Sequence, residues 1–249
     1  MNVLPQARRR SAVVASAFAL VAATAALSQP VAHADETNPN HLSVVYDAVG
    51  STHIGAQIDA DMALGPTTIE VTIDTTAPLP TPIVDGTMAI PSKVMSFSIF
   101  GIPSRATVTM TQVGPVTGTL TKLPSPRQAL DLETQVKYDI RLSNVEAKVF
   151  GIWWPLAVGS NCHTINPVTI NASSPIDNST TPPTGYFTIN AGGPVTATYT
   201  IGNFTGCTPL NFFDIPGFFP WFGSIPINSL VPGTDNTLEL NLNNPRPPA

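Results

Sequence analysis

Three imidazoles lie beyond the N-terminal leader, His41, His53 and His163, and they are the bases of that kind that an acid–base or nucleophilic mechanism would have to use. His53 is followed by Asp59 and Asp61. If residues 53–62 form one strand, alternation puts all three on the same outward face, with the carboxylates about 7 Å apart. A divalent cation could bridge that gap with oxygens from an adjacent strand. A solvated outer face looks the same, so His53, Asp59 and Asp61 are a weak metal candidate and no metal or cofactor is expected. No H-E-x-x-H, EF-hand or zinc spacing occurs, and no G-x-S-x-G elbow marks a nucleophile. A triad around His53 would need a serine that nothing singles out. No catalytic residue is therefore assigned, and a hydrolase with an unmarked site ranks third among the readings.

The stronger chemical signal is apolar. Phe212, Phe213, Phe218, Phe219, Trp221 and Phe222 crowd into eleven residues, and Pro216-Gly217 and Pro220 prevent that run from alternating as a strand. Trp153-Trp154-Pro155 is a second cluster. The segment can plug an open end of the core, line a pocket for an apolar ligand such as an acyl chain, or stand exposed to a lipid layer or a partner. A large aromatic left in water forfeits about 2 kcal/mol, so a group of them needs something to cover it. Trp153, Trp154, Phe218, Phe219, Trp221 and Phe222 are accordingly the candidate ligand-binding residues.

These residues travel behind an export address. Arg8, Arg9 and Arg10 precede an apolar, alanine-rich run from Ser11 to Leu27, and Ala32-His33-Ala34 fits a cleavage site, so residues 1–34 read as a signal peptide and 35–249 as the mature domain. The run is too short and too weakly apolar for a good membrane span, and none is expected after cleavage. Cleavage removes three arginines and no acid from a chain with 11 basic and 16 acidic side chains, leaving 8 against 16, a formal charge of −8. That balance excludes a nucleic-acid binder and disfavours anionic surfaces at long range. Charged residues make up 11% of the chain, well below the roughly 25% of an ordinary soluble domain. The two cysteines, Cys162 and Cys207, would meet an oxidising compartment, where a structural disulfide is the expected state; a reactive or metal-bound pair is the competing one.

Positioning falls to strands. Period-two alternation recurs at 53–62, 67–74, 105–110, 136–142, 195–201 and 238–242, each with one apolar and one polar face. Gly-Pro and Pro-Gly pairs punctuate the runs. This pattern predicts an all-β, antiparallel β-sandwich, with an open β-barrel or two packed small sandwiches as alternatives. A short helix is expected at 126–134, an exposed Ser/Thr/Asn/Pro-rich loop at 172–184, a flexible stretch around His41 and a frayed tail from Asn243. Phe-Gly-Ile occurs at 100–102 and 150–152, and Pro-Val-Thr follows at 115–117 and 167–169. This is either a duplicated hairpin unit or chance recurrence; if there are two halves, the break falls in 122–135.

Gly50-Ser-Thr-His-Ile-Gly, Leu64-Gly-Pro-Thr-Thr, Gly114-Pro-Val-Thr-Gly-Thr-Leu, Val136-Lys-Tyr-Asp-Ile-Arg-Leu-Ser-Asn-Val, Val158-Gly-Ser-Asn-Cys and Thr198-Tyr-Thr-Ile-Gly-Asn-Phe-Thr-Gly-Cys resemble an uncharacterised family of exported actinobacterial proteins, over most of residues 42–242. The resemblance implies a secreted, all-β protein with Cys162 paired to Cys207, and no activity. Family members close the final loop with a short aliphatic stretch, where this chain has its Phe/Trp-rich segment. The expected function is that of a non-catalytic exported envelope protein, cell-associated without a covalent anchor or released. It would bind an envelope lipid or other apolar ligand through the aromatic cluster. The rival is a structural or protein-interaction module of the cell surface.

Overall fold

Valine, isoleucine and threonine in alternation favour pleated strands with one packed face, and the computed structural model, which describes residues 40–248, is built almost wholly from them. The strands are β1 (His41–Ile54), β2 (Ala60–Ala63), β3 (Thr67–Asp74), β4 (Thr81–Met88), β5 (Lys93–Ile99), β6 (Ile102–Gln112), β7 (Thr117–Lys122) and β8 (Leu130–Val149). They continue with β9 (Ile152–Leu156), β10 (Cys162–Thr164), β11 (Val168–Ser173), β12 (Gly193–Ile201), β13 (Phe204–Thr205), β14 (Leu210–Asn211), β15 (Ser224–Ile225) and β16 (Gly233–Arg246). Two 3-10 turns, Phe212–Asp214 and Ile227–Ser229, are the helical elements among the described residues.

The architecture is all-β and antiparallel, a large sheet with a small second one (β14–β15), consistent with the expected β-sandwich. Its hydrogen bonding adds a closure. The order β8-β11-β12-β16-β1-β3-β4-β7 returns to β8, because the first half of β8 pairs with β7 on one side and β11 on the other. Eight strands form a ring whose interior is just wide enough for side chains to fill. Tyr46, Val71, Leu120, Leu132, Tyr138, Ile170, Val195 and Leu238 point into it. Phe187, buried and edge-on to Tyr46 at 5.4 Å, belongs to the same lining.

The second half of β8 leaves the ring and carries the large sheet onward, pairing with β6 on one side and with β9 and β10 on the other. The passage is marked by a bulge. Thr107 opposes Ser143 but Arg105 opposes Glu146, and Asn144, at φ 48°, takes the extra residue. Asparagine tolerates that left-handed conformation better than most residues. After it the inward set changes from Ile140 and Leu142 to Val145, Ala147 and Val149, so both portions of the strand stay packed.

Several expectations need correction. Residues 53–62 are not one strand: β1 ends at Ile54, a turn covers 55–59, and β2 runs back alongside, with His53 opposite Asp61. Of the expected inward set, Ile54, Ile58, Ala60 and Met62 are buried and Ala56 is half-buried against the core, because the turn preserves the parity. No helix forms at 126–134; Lys122 pairs with Leu130, so 122–135 is the end of β7, a seven-residue hairpin connection at 123–129 and the start of β8. His41 opens β1, and the tail stays in the sheet to Arg246, whose guanidinium sits 2.7 Å from Asp47. Of the loop expected at 172–184, Ala172 and Ser173 instead end β11, with Ala172 buried, and the rest is mostly exposed. The leader and its cleavage site lie outside the described residues.

Candidate functional site

Both Phe-Gly-Ile repeats are the tips of two-residue hairpins. Ile99 pairs with Ile102 around Phe100-Gly101, and Val149 with Ile152 around Phe150-Gly151. Phe100 (φ 48°) and Gly101 (φ 82°) match Phe150 (φ 52°) and Gly151 (φ 80°) almost angle for angle. Two successive positive φ values are the geometry that suits the right-handed twist of a hairpin, and Asn, Asp or Gly ordinarily fill the first position. Phenylalanine there carries backbone strain. Because β6 and β8 are paired, with Ser104 opposite Ala147, the two tips lie side by side at one end of the sheet.

A third closed loop meets them. Leu210 and Asn211 pair with Ile225 and Ser224, the Phe212 N–H donates to the Gly223 carbonyl, and the intervening segment 212–223 is held at its neck. Phe212 is fully buried beneath it and Ile215 is buried beside it. Upstream, the Cys162–Cys207 disulfide fastens the chain three residues before β14 to strand β10. Phe222 bridges the buried and exposed parts, at 5.1 Å from Phe212 and 5.0 Å from Phe100. Trp221 lies 5.5 Å from Phe100, and Phe218 stands edge-on to Phe150 at 6.2 Å.

The six candidate residues therefore divide. Phe218, Phe219, Trp221 and Phe222 gather with Phe100 and Phe150, the leading residues of the two Phe-Gly-Ile repeats. Phe219 is 87% exposed, Trp221 84% and Phe150 70%, while Phe218 and Phe222 are half-buried. Trp153 and Trp154 follow the second tip in β9. Trp153 stacks under the Arg105 guanidinium, 4.3 Å from its ring centre, with the Lys148 ammonium at 5.8 Å; Arg105 in turn pairs with Glu146 at 2.5 Å. Trp154 packs against the core, and its buried indole N–H finds no acceptor among the described residues. All five exposed aromatic side chains of the described residues, Phe100, Phe150, Phe213, Phe219 and Trp221, belong to these three loops.

The cluster is a projecting surface rather than a pocket. The apolar void lies elsewhere, inside the strand ring, and none of the tip aromatics lines it. It measures about 60 Å³, under half of the ~150 Å³ that admits benzene. Its polar neighbours are satisfied: the Tyr46 hydroxyl donates to the Ile189 carbonyl, that of Tyr138 to the Met88 carbonyl, and that of Tyr199 to Thr52, which donates to the Thr237 carbonyl. That interior is a packed core with a small gap.

The metal candidate is brought together, though across a hairpin. Asp61 lies 3.0 Å from His53 Nδ1 and Asp59 3.5 Å from Nε2. The carboxylates thus address opposite nitrogens of one ring and do not converge on a common point. No group of three or more His, Cys, Asp and Glu side chains able to hold a metal ion occurs among the described residues. His163 Nδ1 lies 2.9 Å from the Asn161 carbonyl beside the disulfide, and His53 Nδ1 is hydrogen-bonded to the Asp61 carboxylate rather than to a serine hydroxyl.

Comparison with family models, with curated proteins and with solved structures found no match. The three-loop aromatic end is accordingly the feature on which a functional reading has to stand. No helix of the described residues is long and apolar enough to cross a membrane.

Proposed function

We propose that the protein is a non-catalytic, exported module of the cell envelope whose aromatic end binds an apolar, lipid-like partner. The observation that carries this reading is the concentration of every exposed aromatic side chain among the described residues on three loops fastened together at one end. Leaving Phe219, Trp221 and Phe150 in water costs about 2 kcal/mol each, and the strained turns at Phe100 and Phe150 add to that cost. Solubility alone would favour asparagine and serine at these positions. A contact that covers the rings offsets both costs. The disulfide supports export, since such bridges persist in oxidising compartments.

The test is a titration of the exported protein with a fluorescent fatty acid. Binding in the micromolar range is expected, weakened about tenfold by Trp221→Ala or Phe219→Ala at an unchanged melting temperature. Unaltered binding in both variants would overturn the assignment of the site. Unfolding by either would show instead that the segment acts as a core plug.

A further inference from the structure

We infer that the partner is a lipid layer, entered to a shallow depth by the three aromatic tips together, with Phe100 and Phe150 as a matched pair of prongs; this rests on the reading above and specifies its mode. Four observations separate a layer from a single bound lipid or a protein. First, the rings stand on convex loop ends with closed necks, Ile99–Ile102, Val149–Ile152 and Asn211–Ser224, and a projecting tip enters a fluid layer where it could not enclose a ligand.

Second, the segments that converge here carry no charge. Residues 94–104, 149–162 and 215–234 contain no Asp, Glu, Lys or Arg. Asp214 is at the neck of the third loop, held by the Asn211 side-chain amide at 2.9 Å. A charge brought into hydrocarbon is expensive, whereas a protein partner would be served equally well by mixed polar groups.

Third, the chemistry is graded along the strands. The exposed rings, from Phe100 at 55% to Phe219 at 87%, lie outermost. Behind them Lys148 stands two residues before Phe150, and Arg105 four residues beyond Gly101, both over the half-buried Trp153. At about 3.3 Å per residue they sit roughly 7 and 13 Å back from the tips. Apolar tips, then a tryptophan level with Lys148 and backed by the Arg105–Glu146 pair, follow the order of a membrane interface, where aromatic and cationic groups lie at headgroup depth.

Fourth, the loops are already assembled. Phe100 touches Trp221 and Phe222, and Phe150 touches Phe218, so entry into a layer needs little further ordering of the protein.

The experiment uses the exported protein and vesicles of uncharged phosphatidylcholine, with flotation to measure partition. Partition is expected, nearly the same at 50 mM and 500 mM salt because no charge pairing drives it. Phe100→Asn and Phe150→Asn should each lower it by about tenfold, the equivalent of one ring withdrawn from the layer. Asparagine suits the left-handed turn, so both variants should melt at or above the parent temperature, which separates lost contact from lost fold. Acyl chains brominated near the headgroup should quench tryptophan fluorescence, and Trp221→Phe should remove most of that quenching. Partition unchanged by both asparagine variants would falsify the inference. So would partition that requires anionic lipid and disappears in salt, or a stable dimer in which Trp221 is shielded. Binding of the monomeric fatty acid without vesicle partition would leave the lipid-binding reading standing and remove the insertion mode; failure of both would remove both.

Discussion

Single side chains set the interior of this molecule through hydroxyls that have one place to go. Tyr46, Tyr138 and Tyr199 are buried in the strand ring, each donating its proton to a fixed acceptor. Burial disfavours the phenolate: Tyr46 is pushed up to about 12, Tyr138 is raised further, and Tyr199 is raised against the opposing pull of its Thr52 hydrogen bond. Above the ordinary tyrosine value near 10 the unfolded chain gives up protons that the folded chain keeps. Stability is then fully present below about pH 10 and falls as the pH rises toward 12. Urea unfolding followed by circular dichroism between pH 8 and 12 should show that decline, and Tyr46→Phe should make it shallower. Asn236 plays a similar fixing role, fully buried and donating to the carbonyls of Tyr199 and Gly233.

At the scale of elements, the disulfide and β8 do most of the positioning. Cys162–Cys207 closes a loop with a sequence separation of 45 residues, worth about 4 kcal/mol in the chain-entropy account. Replacing both cysteines with serine should lower the melting temperature by about 10 °C. It should also weaken vesicle partition, because the neck of the third loop loses its tether to β10; calorimetry and flotation on the same variant check both. The strands themselves were legible from alternation, and β3 was read to the residue. Other features were hidden for definable reasons. The turn at 55–59 escaped notice because inward and outward faces keep step across it. The bulge at Asn144 escaped because a parity change in a Val/Leu-rich run looks like noise. Phe100 and Phe150 were visible as a repeat but not as partners of Trp221 and Phe218, since side-by-side hairpins depend on β6–β8 pairing that no local pattern encodes. Six candidate aromatics were named from sequence, and the four in the third loop stand at the tips.

The whole molecule is a ring with unequal seams. β1 and β16 share a long ladder, from Val45–Arg246 to His53–Thr237, and β1 and β3 pair over eight positions. β4 meets β7 at three positions, Thr81–Leu120 to Ile83–Gly118, and the β11–β12 register is defined at Ser173–Thr196. Local opening follows the least-bonded contacts. Amide hydrogen exchange resolved by peptide should therefore be fastest, among the strand amides of the ring, at the β4–β7 and β11–β12 seams, and slowest in β1, β16 and the first half of β8. Uniform exchange around the ring would argue against its closure. The ring was not legible in advance because closure depends on β8–β11 and β1–β16 contacts far apart in sequence, whereas the antiparallel class followed from the alternation and the turns.

β16 lies between β1 and β12, so the first strand of the ring is joined by the last. A chain that emerges from its N-terminal end presents β1 early, and one edge of it then stays unpaired until residues 233–246 arrive. During that interval β1 offers a long template to any other copy in the same state. Shortening the chain within β16 would therefore injure the protein at its beginning, leaving β1 as an open edge and turning a self-contained ring into a strand-exchanging one.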